Sequence, residues 1–440
     1  MTVKNKKYID SIFNYLALMA KQRHLIALRD GMIASIPVIL VGSSFLLLGS
    51  QKDVMINYLP WLANSAFGKW YCENFTNILI PFRFTMGMLS LYVTFSVSAS
   101  LAGQYKMPVL PQAMGSVIAF LLTLKLFSVP LPGSEKAVLV MPLSPLGGDG
   151  LFLAIICGLS TVEISRLVMK LWDKCFPAKK EIQEKSAEEN AMEIPPAVSE
   201  AFISFVPLLI VTFLVWFITY TWNIDIYGGL TTLIKPLEKL GDTVWCVACV
   251  NFFMQIFGFA GLHGISVING VFFALWQKFL LMNTEAHMLN PQVLLPTITA
   301  YPFYQWFVWI GGAGTTLPVP FMLLFFKNTH MKRIGKISLV PSLFNINEPL
   351  LFGLPIVANP ILAIPFILSP IVCGVTAFSV FKLGLITRPF IEVPWVLPAF
   401  LGAPFCTQDA KSLLLLLLNC AISACIWFPF LKAYEKRLPK

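Results

Sequence analysis

The sequence predicts an all-α polytopic membrane protein of about ten transmembrane helices, and three observations carry that prediction. Of 440 residues, 57% are hydrophobic and 12% charged, where an ordinary soluble domain is about 25% charged. Apolar runs of about 20 residues, the length a helix needs to cross the hydrocarbon core, recur along the whole chain. Basic residues gather in a few loops, so the net charge of +10 reflects membrane topology and not nucleic-acid binding. The chain has no GxxxxGK[ST], HExxH or GxSxG motif and no His/Cys set at ligand spacing. Nucleotide hydrolysis and zinc catalysis therefore have no footing, and neither a metal nor another cofactor is expected.

In chain order, residues 1–30 are too charged for a cleavable signal peptide. Within them "SIFNYLALMAKQRHLIALR" sets apolar positions at helical spacing among cations, which suits a helix lying on the cytoplasmic membrane surface. Spans are expected at 31–50, 76–99, 108–129, 151–171 and 202–222, then at 243–260, 263–282, 295–326, 355–383 and 409–431, with an interrupted segment at 341–354. Positive charge near span ends stays cytoplasmic. Lys4, Lys6, Lys7, Lys21, Arg23 and Arg29 put the N-terminus inside, and Arg166, Lys170, Lys174, Lys179, Lys180 and Lys185 put the polar linker 173–200 inside too. The tail "KAYEKRLPK" makes the C-terminus cytoplasmic, so the number of crossings is even. The chain is expected to form a first membrane domain, 31–230, that includes this linker, and a second, 231–440. "PLEKLGD", 236–242, suits a short amphipathic connector on the outer face. The nine cysteines lie mostly in apolar runs, and Cys246 with Cys249 reads as two small hydrophobes.

The polar residues inside apolar surroundings are where chemistry is expected. "PSLFNINEPLLFGLPIVANPILAIPFILSP", 341–370, places Asn345, Asn347 and Glu348 in four consecutive residues, with prolines at 341, 349, 355, 360, 365 and 370. An ionised acid at a helix centre costs about 2.5 kcal/mol or more, and proline breaks survive at membrane depth only around a lined cavity. Re-entrant structure around a polar site follows. The alternative is an acid paired with Arg388 or another cation for structure. His263, in "FGFAGLHGISVING", has Gly258, Gly261 and Gly264 around it, which breaks the helix and admits a ligand; otherwise it is a satisfied core residue. Arg83 either contacts a ligand or snorkels to an interface. Asp149 in "PLGGDGLF" either meets a ligand with Gly150 or caps the following helix. Trp395 either stacks on a sugar ring or sits in the aromatic belt. "GGAGTT", 311–316, reads as a helix break or a small-residue packing surface.

"FNINEPLLFGLPIVANPILAIPF" together with "GLHGI" and "ALRDGMIASIPVILVGSSFLLL" resembles the enzyme IIC of the phosphoenolpyruvate-dependent sugar phosphotransferase system, in its lactose, cellobiose and diacetylchitobiose branch. The resemblance covers nearly the whole chain. It implies a homodimer in the bacterial cell membrane, with ten spans, two re-entrant hairpins, and a scaffold half followed by a sugar-binding half. Such a protein carries a disaccharide inward, and a separate phosphocysteine IIB protein, charged by IIA upstream, phosphorylates its 6-hydroxyl. On this resemblance His263 and Glu348 face the reacting hydroxyl, while Trp395, Asp149 and Gly150 contact the sugar; Asn345, Asn347 and Arg83 are further substrate-binding candidates from the reading of the residues themselves. Asp149 departs from the uncharged polar residue expected there. Which of His263 and Glu348 takes the proton stays open, as does the disaccharide. The competing readings are an ion-coupled secondary transporter with Glu348 binding a proton or Na⁺, and a membrane transferase acting on lipid-linked sugars.

Overall fold

Long apolar runs form the helices, and several keep an internal proline, Pro207, Pro341, Pro365, Pro370 and Pro429 among them, so of the prolines at 341–370 only some interrupt the chain. The computed structural model describes residues 22–130, 137–175, 196–260, 262–356 and 359–438. Among them, seven helical stretches are long and apolar enough to cross a membrane: Arg23–Lys52, Ala66–Gln104, Leu151–Trp172, Phe202–Thr221, Gly264–Leu289, Pro360–Lys382 and Ser412–Glu435. An eighth is added if Ile226–Gly241 and Val244–Phe259, bent by 79° at their junction, form one broken span. Val109–Leu122 is apolar but shorter. The expected interfacial helix lies outside the described residues up to Lys21, and so does the linker from 176 to 195.

Two expected spans are corrected, and a third, 76–99, falls inside the span-length stretch Ala66–Gln104 but is broken internally. The run 295–326 is not one helix but a short turn at Tyr301–Phe303, a π-turn at Tyr304–Val308, a loop, and the helix Pro318–Leu323. Pro302 and Pro318 each sit at a helix start, where a missing N–H does no harm. Between them Gly311, Gly312 and Gly314 adopt φ of +73°, +100° and +83°, a region side chains rarely enter. The run 76–99 breaks around Pro81 into Ala66–Ile78, Ile80–Phe84 and Leu89–Gln104. The span expected at 108–129 ends at Leu122, because Phe127–Pro130 pairs antiparallel with Ala137–Val140 in a small exposed hairpin.

The chain forms two compact units. One comprises residues 22–36 and 87–234. Its helices approach closely: a methyl group on Gly31 would stand 2.6 Å from the Val97 backbone, and Ser98 and Ser116 share a hydrogen bond of 2.7 Å. Such small-residue contacts drive helix association in lipid. Phe120, Leu124, Leu146 and Leu153 form a core beneath Ile226 and Leu230. The other unit comprises 37–86 and 235–440. Its helices Thr329–Leu343 and Glu348–Gly353 pack with Pro318–Leu323 and the end of Ser412–Glu435 around Val319, Leu323, Leu350, Leu354, Phe366 and Trp427. A buried ion pair, Lys278 Nζ to Glu238 at 2.6 Å, lies in this unit.

Candidate functional site

The loop 309–317 closes on itself through bonds such as Leu317 N–H to the Ile310 carbonyl and Thr316 Oγ1 to the Gly311 carbonyl, and side chains from elsewhere in its unit hold it in place. Gly311 N–H donates to Asn345 Oδ1 at 3.0 Å, and Asn347 Nδ2 donates to the Ala313 carbonyl at 2.7 Å and Thr316 Oγ1 at 2.9 Å. Trp309 Nε1 donates to Asn251 Oδ1 at 2.9 Å. From the helix Ser412–Glu435, Ser423 Oγ reaches the Thr315 carbonyl at 2.5 Å and Trp427 Nε1 the Gly314 carbonyl at 3.1 Å. Irregular backbone in a membrane protein needs partners of this kind, since lipid supplies none. Gly312 is required here: a Cβ would meet Asn347 Cγ at 2.5 Å.

Asn345 and Asn347 are therefore turned into the protein. Asn345 takes φ +61°, which Asn tolerates better than most residues, and its Nδ2 donates to the Trp395 and Leu397 carbonyls at 2.9 and 3.2 Å. One residue on from Asn347, the geometry reverses. Glu348 opens the short helix Glu348–Gly353, is exposed, and has no ion pair or side-chain hydrogen bond among the described residues. Arg388, the cation that could have neutralised it, donates Nη1 to the Leu295 carbonyl at 2.5 Å. Structural pairing with Arg388 is thereby ruled out.

His263 is the N-cap of Gly264–Leu289 and is also exposed. Its Nδ1 accepts the Ser266 N–H at 3.3 Å and lies 2.8 Å from Ser266 Oγ. A backbone N–H can only donate, so Nδ1 is the unprotonated nitrogen and the neutral ring carries its hydrogen on Nε2. The same packing links the His263 turn to the loop. Phe366 lies against Gly258, whose added Cβ would stand 3.2 Å away, and against Gly314. Trp395 is 51% exposed, so its ring is open to a ligand while its carbonyl is tied to Asn345. Arg83 is exposed in Ile80–Phe84.

Asp149 and Gly150 belong to the other unit. Asp149 does not cap the following helix; its Oδ2 accepts the Ser144 hydroxyl at 2.5 Å. Gly150 is buried against the Pro145 carbonyl, which leaves no room for a Cβ. A surface cavity of about 350 Å³ between Pro60, Asn64, Lys69 and Glu73 is lined by none of the candidate residues. Sequence reading missed Glu392, a buried acid 7% exposed. The signal was there, since "FIEVPWVLP" puts an acid in an apolar run before two prolines, as at Glu348.

Membrane-length helices broken at their polar residues, with an acid and an imidazole left outward, define a membrane transport protein of the interrupted-helix kind. The profile described as "Phosphotransferase system, EIIC" matches residues 29–370, and the chain belongs to that family. It is 30% identical over 442 residues to the PTS system cellobiose-specific EIIC component of Geobacillus stearothermophilus, covering 97% of this chain and 93% of that one. It is 31% identical to the lichenan permease IIC component of Bacillus subtilis (strain 168), covering 95% and 91%. Among solved structures it resembles ChbC, the IIC component of an N,N'-diacetylchitobiose-specific phosphotransferase system, with a TM-score of 0.83 at 28% identity over 98% and 97% of the two chains.

Proposed function

We propose that this chain is the IIC permease for a disaccharide of the cellobiose, diacetylchitobiose or lactose type. It binds the sugar from outside, moves it inward by alternating access, and presents the 6-hydroxyl to a phosphocysteine IIB protein. The observation that carries this reading is the contrast across one peptide bond: Asn347 is engaged by the loop, whereas Glu348 is exposed and, among the described residues, unpaired. An unpaired acid beside a stitched backbone is suited to take a proton from a substrate hydroxyl. His263, with Nε2–H available, donates to the same hydroxyl and orients it. As the sugar oxygen bonds to phosphorus, its proton passes to Glu348, the S–P bond breaks, and the IIB cysteine leaves as thiolate. Trp395 stacks on a sugar face. Asn345 and Asn347 shape the site from behind, and Arg83 supplies a further contact.

The same reading makes residues 231–440 the transport domain and 31–230 the scaffold that holds a homodimer. Both termini and the 173–200 linker are cytoplasmic. Sealed vesicles carrying the purified protein test it. With phosphoenolpyruvate and the soluble carriers including IIB and IIA, labelled disaccharide should appear inside as sugar phosphate. Unmodified sugar accumulating with an ion gradient would replace this reading with an ion-coupled transporter, and a labelled lipid product with a membrane transferase.

A further inference from the structure

The loop 386–398 carries Trp395 but has no helix or strand of its own, so its position depends on side chains that reach its backbone. Asn283 Nδ2 donates to the Pro389 carbonyl at 2.8 Å and Thr284 Oγ1 to the Phe390 carbonyl at 2.6 Å. Gln305 Nε2 takes the Val393 carbonyl at 3.1 Å, and Asn345 takes those of Trp395 and Leu397. Between these ties sits Glu392, buried, with a single hydrogen bond: Gln277 Nε2 to its Oε2 at 3.4 Å. No cation pairs with it among the described residues. The titratable groups close enough to act on it are Tyr301 and Cys406, neither of which carries positive charge.

Two facts about this pair do not suit a carboxylate. An ion buried without a counter-charge is among the most unfavourable arrangements a protein interior can hold. Gln277 Oε1 is also buried and has no donor, which leaves one half of the amide unsatisfied. One added proton answers both. A carboxylic acid and a primary amide facing each other can exchange two hydrogen bonds, amide N–H to acid oxygen and acid O–H to amide oxygen.

We propose that Glu392 is an uncharged positioning residue, joined to Gln277 as an acid–amide pair that fixes the 386–398 loop and so sets Trp395 and Asn345 at the sugar site. The proposal rests on the functional reading above for the consequence at the sugar, but the protonation of Glu392 stands apart from it. When the acid ionises in alkaline solution, Gln277 Oε1 loses its donor, the loop loosens, and sugar affinity falls. Replacing Glu392 by glutamine keeps a neutral partner with one donor and one acceptor, so Glu392→Gln should bind sugar nearly as wild type and lose the alkaline fall.

Two measurements on the full chain in detergent or vesicles decide it. Infrared difference spectroscopy across an alkaline titration should show the carbonyl band of a protonated acid at neutral pH that disappears as pH rises; Glu392→Gln should abolish it and Gln277→Leu should shift it. Disaccharide binding by the wild type should weaken by about fivefold or more at alkaline pH, the effect of one lost buried hydrogen bond, and stay level in Glu392→Gln. Absence of the infrared band at neutral pH overturns the proposal, as does a Glu392→Gln affinity that falls with pH as the wild type does. Failure of the wild type to bind any disaccharide would instead sink the functional reading, leaving the infrared result to decide Glu392.

Discussion

The loop 309–317 and the pair His263 and Glu348 belong to the same unit and come from equally apolar stretches, yet their polar groups have opposite fates. In the loop, Asn251, Asn345, Asn347, Ser423 and Trp427 all turn inward and satisfy one another or the main chain. At Glu348 and His263, among the described residues, an acid is exposed without a partner and an imidazole uses only Nδ1. The first set lets a broken chain exist where lipid offers no hydrogen bonds. The second, on the functional reading proposed above, is what that scaffold leaves over for a substrate. A polar residue in an apolar sequence is therefore ambiguous until its partner is known.

Substitutions can break or sharpen that contrast, and the largest effect is expected at Glu348. Glu348→Gln keeps size and some hydrogen bonding but removes the base, so phosphorylation of bound sugar should fall by about 10² to 10⁴. Binding should change far less, by no more than about 1.5 to 3 kcal/mol for one bond to a charged group. Single-turnover transfer from phosphorylated IIB, with equilibrium binding alongside, separates the two; near wild-type transfer would move Glu348 into the structural set. His263→Gln should show the same bias toward lost turnover, with the double variant little worse than the poorer single if the two act together.

Next comes Gly312→Ala, which forces a side chain into φ +100° against Asn347. Backbone strain of about 1 to 3 kcal/mol should lower thermal stability and sugar affinity together. Asn347→Ala should follow, at about 1 to 3 kcal/mol for the acceptors it leaves unpaired, read as a lower melting temperature with the transfer rate of bound sugar preserved. A selective loss of transfer would place Asn347 with Glu348. The smallest effect belongs to Asp149→Asn. Asparagine can accept the Ser144 hydroxyl in its place, so stability should move by no more than about 0.5 kcal/mol; a larger drop would show that the turn needs the charge.

Much of this was legible in the sequence, for definable reasons. Hydropathy located most membrane helices because it measures the property that selects them. The proline and glycine breaks flagged Glu348 and His263 because backbone geometry is written in single residues. Hydropathy also failed at 295–326, which is apolar enough for a span but is broken by the π-turn at Tyr304–Val308 and by positive φ at Gly311, Gly312, Gly314 and Thr315. Nor could sequence tell that Asn345 and Asn347 face inward, since their partners lie 31 to 52 residues away. Glu392 carried the same signature as Glu348 and was passed over, because burial depends on Gln277, 115 residues distant.

The two bonds from Ser412–Glu435 to the loop reach back 108 and 113 residues. During synthesis the loop thus leaves the ribosome long before Ser423 and Trp427 exist, and the Gly314 and Thr315 carbonyls wait without partners in a medium that supplies none. The last spanning helix acts as the closing key: chains stalled or cut short of residue 423 carry both glycine-rich break and acid but no settled path between them. A copy that ends before the last helix therefore leaves these two loop carbonyls without the partners the full chain gives them.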